Sequence, residues 1–201
     1  MNGEEQFRLV NTGNITSTLS DLAFYAAASH KSSHITNSGQ IIGDIIFGRG
    51  ADVYDGHGGT IKGLVAGEAG EDVLTGGNHK DHFNGGHGHD ILTGGKGADV
   101  FSYSFASDSK NGKFGHDVIT DFSHAQSDRL DLHVIDAIDG GTDDAFTFIG
   151  RDAFDGHAGQ LHFGFHGGNT LVSGDTDGDG RADFTIELQG HIDLVEGDFH
   201  L

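Results

Sequence analysis

The chain has 201 residues, enough for one domain of ordinary size or a small pair, and its 31 Asp and Glu against 11 Lys and Arg leave a formal charge of −20. That sign excludes nucleic acid and anionic membrane as natural partners and makes cations the natural counterpart. Glycine supplies 35 residues while proline and cysteine are absent, which excludes collagen, proline-rich linkers, disulfides, zinc ribbons and cysteine nucleophiles.

At the front, residues 1–16 (MNGEEQFRLVNTGNIT) lack the basic start and apolar run of a secretory signal. No apolar stretch approaches bilayer length, so a soluble chain with no membrane span is expected. Residues 1–45 carry little glycine. Thr18 and Asp21 resemble a capping box, and Leu19, Leu22, Ala23 and Ala26 fall at helical spacing, which predicts one helix here. His30 and His34 stand at i, i+4, a metal-binding spacing only within a helix; they read better as solvated residues near its fraying end.

From about residue 46 a nine-residue period emerges. Residues 67–75 read GEAGEDVLT, 76–84 GGNHKDHFN, 85–93 GGHGHDILT and 94–102 GGKGADVFS, the last two matching GGxGxDxUx throughout, with U a large apolar residue. The sixth position holds Asp72, Asp81, Asp90 and Asp99, and the step of nine runs on to Asp108 and Asp117. Upstream, 58–66 (GGTIKGLVA) has Gly63 where Asp is expected. Gly48-Arg49-Gly50-Ala51-Asp52-Val53-Tyr54 repeats the motif two residues out of register, with an insertion near Gly56 and His57.

Paired glycines permit a turn that directs successive carbonyls to one side. One carboxylate per turn plus carbonyl oxygens suits Ca²⁺, a hard cation of high coordination number. A single turn lacks a full shell, so turns must stack. With two nonapeptides per coil, Asp72 stacks on Asp90 and Asp81 on Asp99. At the eighth position, Val65, Leu74, Phe83, Leu92 and Phe101 then form two rows, Leu74 with Leu92 and Phe83 with Phe101, facing across a narrow core. So little apolar burial per coil, with so much like charge, makes folding depend on the ions. A disordered glycine-rich linker would explain the composition but not the register of the aspartates.

Past residue 120 the period gives way to short strands at Phe146–Ile149, Leu161–Phe165, Thr170–Ser173 and Asp183–Leu188. Asp175, Asp177, Asp179, Gly180 and Asp183 occupy positions 1, 3, 5, 6 and 9 of an EF-hand-like loop, but Ile186 stands where a bidentate Glu belongs. A plain hairpin turn and a calcium site are both open there. His79, His82, His87 and His89 fall mostly on outward, variable positions and read as solvated rather than as a transition-metal site.

The nonapeptides resemble the RTX calcium-binding repeats of bacterial secreted proteins. GADVFSYSFASDS (97–109), HDVITDF (116–122), SDRLDL (127–132), AGQLHF (158–163), NTLVSGDTDGDGRADFTIEL (169–188) and DFHL (198–201) extend the resemblance to the C-terminal domain of serralysin-type metalloproteases, over about residues 47–201. An all-β fold is expected: a partly helical segment (1–45), a parallel β-roll (46–120), and a C-terminal β layer (121–201). The resemblance implies ligands from turn carbonyls and sixth-position aspartates: Gly67, Gly70 and Asp72; Gly76, Gly77 and Asp81; Gly85, Gly86, His87, Gly88 and Asp90; Gly94, Gly95, Lys96, Gly97 and Asp99. It further implies that Asp108 and Asp117 close sites at the end of the roll. Gly48, Gly50, Asp52, Asp121 and the EF-like aspartates are secondary candidates. Glu68 and His79 replace glycines, which should weaken the sites using those turns.

No HExxH or GxSxG motif occurs. The ending 196–201 resembles the C-terminal signal read by type I secretion systems. The expected function is therefore a noncatalytic, extracellular calcium-binding module of a Gram-negative bacterium, folding on several Ca²⁺ ions after export by a type I apparatus. The alternatives are an accessory domain beside a catalytic neighbour (metalloprotease, lipase or polysaccharide epimerase) and an adhesion protein with an extracellular surface ligand.

Overall fold

Glycine turns every nine residues leave room for strands of only about three residues, so the chain winds as a parallel coil whose strands are repeated from turn to turn. The computed structural model describes residues 7–17, 21–112, 115–140 and 144–201, and among them the only helical segments are three single 3₁₀ turns, Ala106–Asp108, His124–Gln126 and Glu196–Asp198. Two long sheets face each other. The first has ten strands, beginning with Phe7–Asn11, Ser33–Asn37, Val53–Asp55, Val73–Thr75, Ile91–Thr93 and Asp117–Ile119, all parallel. The second has seven, from Leu22–Tyr25 through Asp44–Ile46, Val65–Ala66, His82–Asn84, Val100–Ser102 and Arg129–Asp131 to the terminal Phe199–His200.

The expected rows form the core. Leu74 pairs with Leu92 on one sheet and Phe83 with Phe101 on the other, each 0–1% exposed. Tyr54 and Ile119 extend the first row and Val65 and Leu130 the second. The strands expected beyond residue 145 are present as Thr147–Phe148, Gln160–His166, Asn169–Asp175 and Phe184–Leu188. They do not form a separate layer: Phe184–Leu188 pairs parallel with Asp117–Ile119, so this meander completes the first sheet of the roll.

The N-terminal helix is a correction. Thr18 and Leu19 lie outside the described residues, but Leu22–Tyr25 is a strand paired with Asp44–Ile46. Phe24 packs its ring against Phe47 at 5.7 Å, so stacking on the next coil overrides a helical spacing supported by only a few apolar residues. His34 lies on the strand Ser33–Asn37, which removes the helical premise of the His30–His34 pairing. Residues 7–46 thus supply the first coils of both sheets, with pairing continuous across residue 45.

These first coils are three-sided. A third parallel sheet, Asn14–Thr16, Gln40–Ile42 and Thr60–Lys62, closes one flank. The insertion near Gly56 and His57 marks this side, which ends with Lys62, just before the run of nonapeptides from residue 67. The corner of the extra side is tied by neutral amides: Asn11 Nδ2 donates to Asn37 Oδ1 (2.8 Å) and to the Gln40 carbonyl (3.1 Å), and Asn37 Nδ2 to the Thr60 carbonyl (3.1 Å).

Candidate metal centre

Each glycine turn delivers the following aspartate onto a rung between two coils. Along one edge of the roll Asp52, Asp72, Asp90 and Asp117 stack. The N–H of Asp52 donates to Asp72 Oδ1 (2.7 Å), that of Asp72 to Asp90 Oδ1 (2.8 Å), and that of Asp90 to Asp117 Oδ1 (2.9 Å). Along the other edge the N–H of Asp81 donates to Asp99 Oδ1 (2.8 Å) and that of Asp99 to Asp128 Oδ1 (2.9 Å). The expected pairs, Asp72 with Asp90 and Asp81 with Asp99, are therefore adjacent rungs.

In Asp72, Asp90, Asp99 and Asp117 one oxygen is thus committed to the preceding coil. The other is not: Oδ2 of Asp72, Asp90, Asp99 and Asp117 is buried and accepts no hydrogen bond. The Tyr103 hydroxyl lies beside Asp117 but also falls short of hydrogen-bond geometry. Burial, reinforced by facing carboxylates, pushes the Asp72 carboxyl up to about 8, Asp90 to about 7 and Asp99 to about 6, and raises Asp117 well above the usual range. Burial also raises Asp52, Asp81 and Asp128. An unpartnered buried carboxylate is costly unless it is neutralised or bound to a cation.

The space around these oxygens exists because the neighbouring residues lack a side chain. A Cβ on Gly94 would lie 2.5 Å from Asp99 Oδ2, one on Gly76 2.5 Å from Asp81 Oδ2, and one on Gly67 2.5 Å from the Gly85 carbonyl. Gly88, at φ +151°, leaves no room at all: a Cβ would overlap the Gly70 carbonyl of the coil before it. The converging donors are carboxylate and carbonyl oxygens, the set that fits Ca²⁺. His87 and Lys96 contribute backbone only, their N–H groups donating to the Glu68 (2.8 Å) and Gly77 (2.9 Å) carbonyls while their side chains are exposed. Glu68 itself holds the left-handed conformation of the glycine it replaces, at φ +72°, which costs about 1–2 kcal/mol.

Asp108 is a correction to the expected register. It lies in the 3₁₀ turn Ala106–Asp108, accepts the N–H groups of Ser104 (3.0 Å) and Phe105 (2.9 Å), and stands 3.0 Å from His87 Nδ1. The chain between Ser102 and Asp117 breaks the count of nine, and the rung falls to Asp117, 27 residues after Asp90. Asp128, 29 residues after Asp99, is the rung the nine-residue count missed. The available signal was the tripeptide Asp-x-apolar, which Asp128-Arg129-Leu130 shares with Asp99-Val100-Phe101 and with which it pairs in register. Asp121 braces a turn, its oxygens accepting the N–H groups of Gly94 (2.9 Å) and Gly95 (2.8 Å). Gly48 and Gly50 flank the Asp52 rung, the Gly48 N–H donating to Asp52 Oδ2 at 3.2 Å.

The EF-like segment is a hairpin connection between two antiparallel strands. Asp175, Asp177 and Asp183 converge there, yet Asp175 already accepts the N–H groups of Gly178 (2.7 Å) and Gly180 (2.9 Å), and Asp183 Oδ2 accepts both donors of Thr176. Asp177 and Asp179 are exposed, each carboxylate accepting the N–H two residues on.

Stacked glycine turns with an aspartate on every rung, closing a two-sheet parallel coil, define an RTX-type β-roll. Residues 28–200 match the family described as Peptidase M10 serralysin C terminal, and the chain belongs to that family. Among solved structures it is similar to two subunits of a mannuronan C5-epimerase from Azotobacter vinelandii. The R2 subunit of AlgE6 is 27% identical over 92% of this chain and 90% of that one, at a TM-score of 0.44. The R3 subunit is 24% identical over 84% and 77%, at 0.43. No curated protein matches the chain. No helix of the described residues is long and apolar enough to cross a membrane.

Proposed function

We propose that the chain is a noncatalytic calcium-binding module of a secreted protein, whose roll is completed by several Ca²⁺ ions held between stacked turns. The observation that carries this reading is the set of four buried carboxylate oxygens, on Asp72, Asp90, Asp99 and Asp117, that accept no hydrogen bond. Bound calcium would supply the positive charge that lets these groups stay ionised inside the roll. The chain's own part is to stack the rungs: backbone N–H groups orient each carboxylate, and glycines keep carbonyl oxygens close. The Asp108 and EF-like carboxylates are secondary, since local N–H groups already occupy them.

A calcium titration followed by circular dichroism tests the ranking. Asp90→Ala removes a central rung and should raise the calcium midpoint several-fold, whereas Asp183→Ala should leave it nearly unchanged. Equal shifts would make the hairpin loop a principal site and overturn the ranking.

Export through a type I apparatus is the accompanying proposal, resting on the terminal Asp198–Leu201 sequence. Removing residues 198–201 should retain the protein inside a host carrying a matching transporter, and efficient export of the truncated chain would eliminate the signal. Phe199 pairs through its strand with Arg129–Asp131 and packs its ring 4.9 Å from Phe148. The truncated protein's calcium-induced dichroism must therefore be measured alongside, to separate misfolding from failed export. The family match to the C-terminal part of a peptidase supports a second reading, in which the module accompanies a catalytic neighbour; tethering to such a neighbour would show as a gain in that enzyme's folding yield with calcium.

A further inference from the structure

Away from the oxygen-lined turns, at the C-terminal end of the second sheet, two imidazoles face one carboxylate. Asp131 ends its strand directly opposite His200 of the terminal strand. Its Oδ1 lies 2.5 Å from His133 Nδ1 and 3.1 Å from His200 Nδ1. The two rings stack with centroids 4.4 Å apart, and one ligand atom from each of the three residues lies within 4.8 Å of the other two. Both rings are about half exposed, at 48% and 58%, so solvent reaches the cluster, while Asp131 is only 17% exposed and is fixed from below by the sheet.

We propose that Asp131, His133 and His200 form a binding site for a divalent transition metal of the Zn²⁺ type, chemically separate from the calcium turns. Imidazole nitrogen is a donor that Zn²⁺ accepts readily and Ca²⁺ does not. Two imidazoles and one carboxylate make the three-ligand set of an open zinc site, with the fourth position left to water. The ligand atoms need move only slightly to sit about 2.0–2.2 Å from a common ion. The other described His–Asp contacts, such as His157 with Asp155 at 2.7 Å, have a single imidazole on the carboxylate and lack this convergence. Because His200 reaches Asp131 only when the last strand is docked, bound metal would also hold the C-terminal strand in place.

The test uses the full calcium-loaded chain, with Zn²⁺ added and followed by calorimetry, and Co²⁺ by visible absorption. One equivalent should bind well above the remaining histidines in affinity, and Co²⁺ should give the intense bands of a four-coordinate site. His133→Gln and His200→Gln should each weaken that equivalent at least tenfold, and His157→Gln should not. Unchanged dichroism and calcium midpoint establish that the variants fold. Independently of any variant, one equivalent of Zn²⁺ should shift two histidine ring signals in the nuclear magnetic resonance spectrum of the unaltered protein. Binding that is unaffected by both substitutions, or ring shifts scattered over many histidines, would overturn the proposal and leave the stacked pair as a metal-free brace on Asp131.

Discussion

Removing calcium should unfold the two-sided roll and leave the chain expanded. Each 18-residue coil buries little more than one side chain from each row, such as Leu74 and Phe83, while ordering a residue costs about 1–2 kcal/mol of conformational entropy. Without cations the same coils also bring unpartnered carboxylates together in a chain of net charge −20. Ions that bind only the folded state stabilise it by RT ln(1 + [L]/Kd) per site, so four sites at ten times their Kd would contribute roughly 5–6 kcal/mol. That is comparable with the whole stability of a small domain, about 5–15 kcal/mol. Circular dichroism and small-angle scattering in excess chelator should show loss of β signal and a larger radius of gyration. Hydrogen exchange should locate the loss in residues 67–131, which hold the rungs with unpartnered oxygens. The first coils, tied by the Asn11–Asn37 amides and with both oxygens of their Asp52 rung accepting backbone N–H groups, carry a smaller penalty and should hold longer. An unchanged β signal and radius in chelator would refute calcium-dependent folding.

In the metal-free chain, stability should fall as pH rises, the reverse of ordinary acid denaturation. Asp72, Asp90 and Asp99 are raised from 3.8 to about 8, 7 and 6 in the folded chain, chiefly by burial. Between the unfolded value and those values the folded state holds more protons than the unfolded one, so unfolding becomes easier with increasing pH. The contribution is fully present below about pH 4 and is lost by about pH 8. A tenfold change in a group's acidity on folding corresponds to about 1.4 kcal/mol, so the three groups together command several kcal/mol. Protein freed of metal should therefore show more β structure at pH 5.5 than at pH 8.5. Calcium must displace the same protons, so its midpoint should rise as pH falls, by roughly a hundredfold or more over that range if one proton is displaced per ion through most of it. A calcium midpoint independent of pH would mean that the rungs are ionised before the ion arrives.

The nonapeptide stretch was readable in one dimension because the structure there is nearly one-dimensional. A strict step of nine forces coils of 18 residues, and each residue's neighbours follow from counting alone: Asp72 under Asp90, Leu74 under Leu92, Phe83 under Phe101. What counting could not supply was the structure wherever the coil changes length. The third side of the first coils adds a strand to each of those coils, while the displaced Asp108 and the rung at Asp128 follow segments that add residues without adding strands. The strand Leu22–Tyr25 was hidden because a coil below it, rather than its own periodicity, decides its conformation. The unpartnered Oδ2 atoms and the meeting of His133 and His200 on Asp131 likewise belong to tertiary structure alone. Local repeats determine which residues stack; only docking of distant strands determines which of their polar atoms find a partner.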